Sequence, residues 1–210
     1  IPSLRDLART RHQATIYIGN GHAAWEAALA NVLSPGDRVL VPATGRFGHG
    51  WGGMAQGLGA EAEILDFGPG AAIDPARVEA SLRADRRGAI RAVLAVHTDT
   101  SSSVRSDVAA LRAAIDAAGH PALLMADCIA SMGCDRFEMD GWGVDVTVAA
   151  SQKGLMNPPG LGFVWFNDRA ALARDRAACV TSHWDWRPRA APQAGWQLFG
   201  GTPPAQALWA

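Results

Sequence analysis

Lys153 follows a segment that reads as a buried strand, 144–150, and is flanked by Ser151, Gln152 and Gly154, with Pro158-Pro159-Gly160 close behind. Glycine, asparagine and proline at this density hold a tight, irregular loop. An amine on such a loop becomes a nucleophile once desolvation and a neighbouring ligand lower its pKa. Asp127 closes an apolar run, Leu123-Leu124-Met125-Ala126. A carboxylate there is costly unless a cation or hydrogen-bond donors meet it, so it would serve a positively charged ligand nitrogen or a metal. The third group is Gly19-Asn20-Gly21-His22-Ala23-Ala24. A β-prone stretch, then Gly-x-Gly, then a helix make an anion cradle, because free N–H groups and the positive helix end face one point. The same residues satisfy G-x-G-x-x-A, yet the next strand ends Val41-Pro42-Ala43-Thr44, with no acid to hold a ribose. A phosphate without a ribose is the expected guest. Taken singly, each group also has an ordinary explanation: a glycine turn, a capped carboxylate, a solvated lysine.

The elements that must bring these groups together alternate along the chain. Segments 15–18, 39–41, 62–67, 92–96, 122–126, 144–150 and 162–166 read as strands. The run 92–96 is continuously apolar, as a strand buried on both faces is; 122–126 and 144–150 read as two more buried strands, and 62–67 alternates like an outer strand. Segment 22–33 reads as a helix with Ala23, Ala27 and Ala30 on one face; Asp74 and Pro75 open another, running to Ala84. A third starts at Ser106-Asp107 and ends at Gly119, with Val108, Leu111, Ile115 and Ala118 three or four apart. Asp168 is placed to cap a last helix, and the glycine-rich stretch 45–59 has room for a short one. Strands separated by helices imply crossover connections. The expected fold is a three-layer α/β/α domain on a mostly parallel sheet of about seven strands. Ligands of such sheets sit beyond the carboxyl ends of the strands. The tips 19–22, 44–47, 97–103, 127 and 151–153 would therefore ring one pocket. A phosphate cradle, a buried acid and an amine at one edge suggest pyridoxal phosphate, which needs a lysine for a Schiff base and an acid against its pyridine nitrogen.

Composition narrows the function further. The chain has 210 residues, 49% of them hydrophobic, with a net charge of −1. Without a basic excess a nucleic-acid partner is not expected. No apolar run reaches the ~18–20 residues of a membrane span. Three cysteines, Cys128, Cys134 and Cys179, with no CxxC, suit reduced thiols in a cytoplasmic setting and give no structural zinc site. His22, His49 and His97 lie in different loops, so no metal centre is expected. Trp25 and Trp165 read as core, Cys128 as a small buried residue, and Arg46 as either surface or a guide for an acidic substrate. After Cys179 the pattern dissolves around Trp184-Asp185-Trp186-Arg187-Pro188. That division gives a cofactor domain at 1–178 and an irregular interface or linking segment at 179–210, whose tryptophans would be buried against a partner chain or a further domain. The first residue is not Met, and the chain is expected to be a piece of a longer protein.

The segment Ser151-Gln152-Lys153-Gly154-Leu155-Met156-Asn157-Pro158-Pro159-Gly160 resembles the lysine loop of class V aminotransferases, pyridoxal-phosphate enzymes of fold type I. The alanine–glyoxylate, serine–pyruvate and serine–glyoxylate members are the most similar. The likeness extends through 19–33, 97–104, 127–133 and 199–203. It implies that Lys153 carries the Schiff base and shuttles the α-proton, while Asp127 keeps the pyridine nitrogen protonated. Gly21, His22 and Gln152 would hold the phosphate, with Ala23 at the same helix start. Ser101 would lie near the ring hydroxyl, and Ile129 and Phe47 against the two ring faces, Phe47 standing where relatives often place Trp. Thr202 would reach the phosphate of a neighbouring subunit, which implies a homodimer with shared sites. Phe199 stands where similar relatives have Tyr, and the arginine that clamps the substrate carboxylate is expected beyond residue 210. The implied activity is transamination of a small amino acid, alanine or serine, with a 2-oxo acid such as glyoxylate or pyruvate. The alternative is a non-catalytic phosphate- or nucleotide-binding or dimerisation module.

Overall fold

The computed structural model describes residues 2–206. In chain order the elements are α1 (Pro2–Ala8), β1 (Gln13–Gly19), α2 (Gly21–Ala30), β2 (Arg38–Ala43), α3 (Arg46–Gly57), β3 (Glu61–Asp66), α4 (Pro75–Ala84) and β4 (Ile90–Val96). There follow β5 (Thr98–Asp99), β6 (Val104–Arg105), α5 (Val108–Ala117), β7 (Leu123–Asp127), β8 (Val146–Ala150), β9 (Gly160–Phe166), α6 (Asp168–Arg174) and α7 (Arg187–Ala190). Seven strands form one sheet in the order β1-β9-β8-β7-β4-β2-β3, and β5 and β6 make a small separate ribbon. From β3 to β8 the pairing is parallel; β9 runs antiparallel to both β8 and β1. Two reversals restore the direction of β1, so Gly19, Ala43, Val96, Asp127 and Ala150 all finish at one edge. The mostly parallel, seven-stranded, three-layer expectation therefore holds.

The sheet is apolar on both faces because both are covered. Val39, Val41, Ala92, Leu94, Leu123 and Met125 point to the side of α2, α3 and α6. Leu40, Val93, Ala95, Leu124 and Ala126 point to the side of α1, α4 and α5. This two-residue alternation inside unbroken apolar runs is what a central parallel strand requires. The edge strand β3 is only half-buried, as its mixed sequence anticipated.

Two helices depart from expectation. The stretch expected to hold at most a short helix forms α3, 12 residues long. Glycine in a helix costs up to about 1 kcal/mol relative to alanine, but here its lack of a side chain sets the packing distance. A Cβ on Gly48 would lie 2.9 Å from Ala43 Cα, and one on Gly52 2.9 Å from Ile64 Cδ1. The cap of α6 is Asn167, whose side chain accepts from Ala170 N at 3.0 Å, rather than Asp168, which lies inside the helix. The tail is corrected too. Trp186 is fully buried within this chain, stacked on Phe166 at 4.1 Å between ring centroids. Trp184 donates to Glu26 at 3.0 Å.

Candidate active site

Asp127 ends β7 at the middle of the sheet and is buried. Ile129 N donates to its Oδ1 at 2.7 Å and the Trp25 indole Nε1 donates to its Oδ2 at 2.9 Å. Burial pushes its pKa up to about 7; the two N–H donors oppose this, the buried Asp99 adds to it, and Lys153 opposes it least. A carboxyl poised there is set to ionise when a cationic nitrogen is placed against it.

Lys153 lies on the loop 151–159 between β8 and β9. Ser151 Oγ staples this loop, donating to Pro158 O at 2.7 Å and accepting from Leu161 N at 3.3 Å. Gly154 fits because a side chain there would collide with Met132 O and lie 2.5 Å from Cys134 Sγ. The lysine loop thus rides directly on the turn that follows Asp127, and the amine and the acid are held on one support. The expectation of a desolvated amine is corrected: Lys153 is exposed in this chain. Its burial must come from whatever occupies the pocket. Lys153 is also the one lysine in the sequence, the other 18 of the 19 basic residues being arginines.

The cradle is built at the start of α2. Asn20 is the N-cap, and its Oδ1 accepts from His22 N at 3.0 Å and Ala23 N at 3.4 Å. Those two donors are the ones an anion would use, so a phosphate would have to replace the Asn20 carboxamide there. Gly21 allows a close approach: a Cβ would stand 2.5 Å from Ile129 Cδ1, and the Ile129 side chain would have to shift. Gln152 faces the same space, with Oε1 buried and no hydrogen-bond partner.

Seven of the expected residues, Gly21, His22, Phe47, Asp127, Ile129, Gln152 and Lys153, line one cavity of about 280 Å³. Three do not. Ala23 lies behind the cap. Ser101 supports α3, donating from Oγ to Asp99 Oδ1 at 2.6 Å and accepting from Arg46 N at 2.8 Å. Thr202 is exposed on the C-terminal segment, beside a surface groove formed with Gly195, Trp196 and Phe199. The three histidines have separate partners: His22 meets Trp25 edge-on, His49 faces Asp66 at 3.4 Å, and His97 Nδ1 bonds Ser131 Oγ at 2.8 Å.

Sequence reasoning missed Trp25, Val96 and Ala130 as lining residues, whereas Asn20, Arg46, Thr98 and Thr100 lie on tips it had placed around the pocket. Trp25 was legible in principle. It stands four residues after Gly21, hence on the same helix face as the cradle. Its ring stacks on Trp51 at 5.9 Å and meets Phe47 edge-on at 6.2 Å.

The fold and this edge place the chain among aminotransferases: it belongs to the class-V aminotransferase family, whose model matches residues 3–208. It is 42% identical over 184 residues to an L-aspartate–glyoxylate aminotransferase of Paracoccus denitrificans, covering 88% of this chain and 46% of that protein. It is 40% identical over 206 residues to a serine–glyoxylate aminotransferase of Methylorubrum extorquens, covering 94% and 50%. Among solved structures, an aspartate aminotransferase of subgroup IV from Thermus thermophilus superposes with a TM-score of 0.85 at 31% identity, covering 98% of this chain and 56% of that one. The chain therefore spans about half the length of the curated relatives it matches.

Proposed function

We propose that the protein is a pyridoxal-phosphate aminotransferase that moves the amino group of a small amino acid to glyoxylate or a similar 2-oxo acid. The observation that carries this is the sharing of one cavity by the only lysine in the chain and a buried carboxyl with a pKa near neutrality. The residues fit the cofactor. Asp127 awaits a cation, Gln152 Oε1 is a buried polar atom without a partner, and the start of α2 offers N–H groups to an anion.

Pyridoxal phosphate, when bound, supplies a ring that takes up the electron pair released at the substrate α-carbon. Asp127 would hold the proton on the ring nitrogen that makes this uptake favourable. Gly21, His22 and Gln152 would hold the phosphate. Phe47 and Ile129 would pack against the ring and exclude water. Lys153 Nζ would hold the cofactor covalently and would move the proton at the substrate α-carbon.

A further part of the proposal is that the chain, with its cofactor domain at 1–178, works as a cytoplasmic homodimer in which Thr202, exposed beside a surface groove, reaches the neighbour's site. The three cysteines, which form no disulfide, suit that compartment. Among the described residues no helix is long and apolar enough to cross a membrane.

Absorption spectroscopy tests the core of the proposal. The protein with added cofactor should show a visible band that Lys153→Ala abolishes. Borohydride reduction should then leave the cofactor mass on the single peptide containing Lys153. A protein that stays colourless and unlabelled would instead favour a non-catalytic phosphate-binding module.

A further inference from the structure

Arg46 opens α3 at the rim of the same cavity, and its charge has no use inside the chain. It is exposed, and its guanidinium makes no hydrogen bond or ion pair among the described residues. Its contact is the ring of Phe47, with Cζ 5.3 Å from the centroid. The position is unfavourable for a cation, because the first turn is the positive end of the helix. Asp99, the acid at the start of the same helix, does not neutralise it. Asp99 Oδ2 accepts from Phe47 N and Gly48 N at 3.0 and 3.2 Å, and its Oδ1 accepts from Ser101 N and Oγ at 2.9 and 2.6 Å. That carboxylate is spent on backbone and hydroxyl donors. A guanidinium is thus held beside the stacking residue of a cofactor pocket, at an energetic cost, with its fork of donors facing open space.

We propose that Arg46 is a specificity-determining residue that receives the side-chain carboxylate of the amino donor, so that the preferred donor is a dicarboxylic amino acid of the size of aspartate. A planar guanidinium matches a carboxylate with two parallel N–H···O bonds. Alanine and serine carry no side-chain carboxylate to fill that fork. Phe47 restricts the guanidinium of Arg46 through its ring contact, which reduces the freedom lost on pairing. The inference rests on the aminotransferase reading, and it adds the donor class to it.

The test compares donors in the cofactor-loaded protein, with glyoxylate as acceptor. In the wild type, kcat/KM for L-aspartate should exceed that for L-alanine. Arg46→Gln should lower the aspartate-to-alanine ratio at least tenfold, mainly through KM for aspartate, and Arg46→Lys should lower it less. A binding measurement adds a readout independent of turnover. By calorimetry succinate should bind more tightly than butyrate, and Arg46→Gln should erase the difference. A ratio unchanged within twofold, or equal binding of succinate and butyrate by the wild type, overturns the assignment to Arg46 while leaving the aminotransferase reading standing. So does an Arg46→Gln protein whose defect is loss of cofactor absorbance, which would make Arg46 a cofactor ligand. A wild type that takes up no cofactor overturns both.

Discussion

Asp127 is asked to be an acid in one state and an anion in the other, and its surroundings are graded for that. Complete burial raises its pKa to about 7, against an ordinary 3.8, although two N–H donors favour the charged form. The cofactor-free protein therefore holds a proton on Asp127 that the unfolded chain has lost across the interval from 3.8 to about 7. This contribution to stability is full below the unfolded value and is lost as pH rises through the folded one, with a ceiling of roughly 4 kcal/mol. The thermal midpoint of the cofactor-free protein should fall between pH 5 and pH 8, and Asp127→Asn should flatten the fall; scanning calorimetry at several pH values checks it. Trp25→Phe removes one of the two donors from a buried charge, worth about 1.5–3 kcal/mol. It should carry the fall to higher pH and weaken cofactor binding at neutral pH, read from the visible band. A purely packing role for Trp25 would lower the midpoint equally at every pH.

Helix α3 shows what an element needs when its own sequence argues against it. Gly48, Gly50, Gly52, Gly53 and Gly57 are all inside it. What starts it is Asp99, which bonds Phe47 N and Gly48 N from 52 and 51 residues away, locked in turn by Ser101. Asp99→Ala should leave buried N–H groups unmet and cost about 2–3 kcal/mol. Ser101→Ala should cost about 1 kcal/mol, since Asp99 keeps its helix contacts. Urea unfolding of both variants measures the difference, and equal losses would contradict the hierarchy. The same distance explains what was legible. The apolar runs of β4, β7 and β8 announced central strands because burial on both faces leaves no other pattern, and Asp74 and Asp107 announced α4 and α5 because those caps are local. A cap supplied from another loop leaves no mark beside the helix it starts. The family resemblance placed Ser101 near the cofactor ring, and nothing beside it in the sequence announced its bond to Asp99; Trp25 was assigned to the core because its apolar ring hides a single N–H aimed at Asp127.

At the scale of the whole molecule, the site is assembled where five strand ends meet, and its stiffness depends on how the edge strand β1 and its neighbour β9 are backed. The segment after α6 does that. Trp186 is buried against Phe166 of β9 with rings 9° from parallel, and Arg189 is buried over the ring of Tyr17 in β1 at 4.3 Å. Arg189 also donates to Ile16 O at 3.1 Å and to His183 O at 2.7 Å, tying the tail back to β1. Composition around Trp184-Asp185-Trp186 suggested a surface awaiting a partner because two tryptophans in a short irregular stretch have no periodicity to assign them a face. Their partner is the sheet of the same chain. Trp186→Ala should open a cavity between the tail and β9 and cost about 3–5 kcal/mol. Trp184→Ala should cost less, because that ring is only half-buried. If the tail instead belonged to a neighbouring subunit, Trp186→Ala would shift the sedimentation profile and leave the denaturant midpoint of the separated chain untouched. The stacking of Trp186 on Phe166 predicts the reverse: a lower midpoint at every protein concentration, with the loss independent of the fraction assembled.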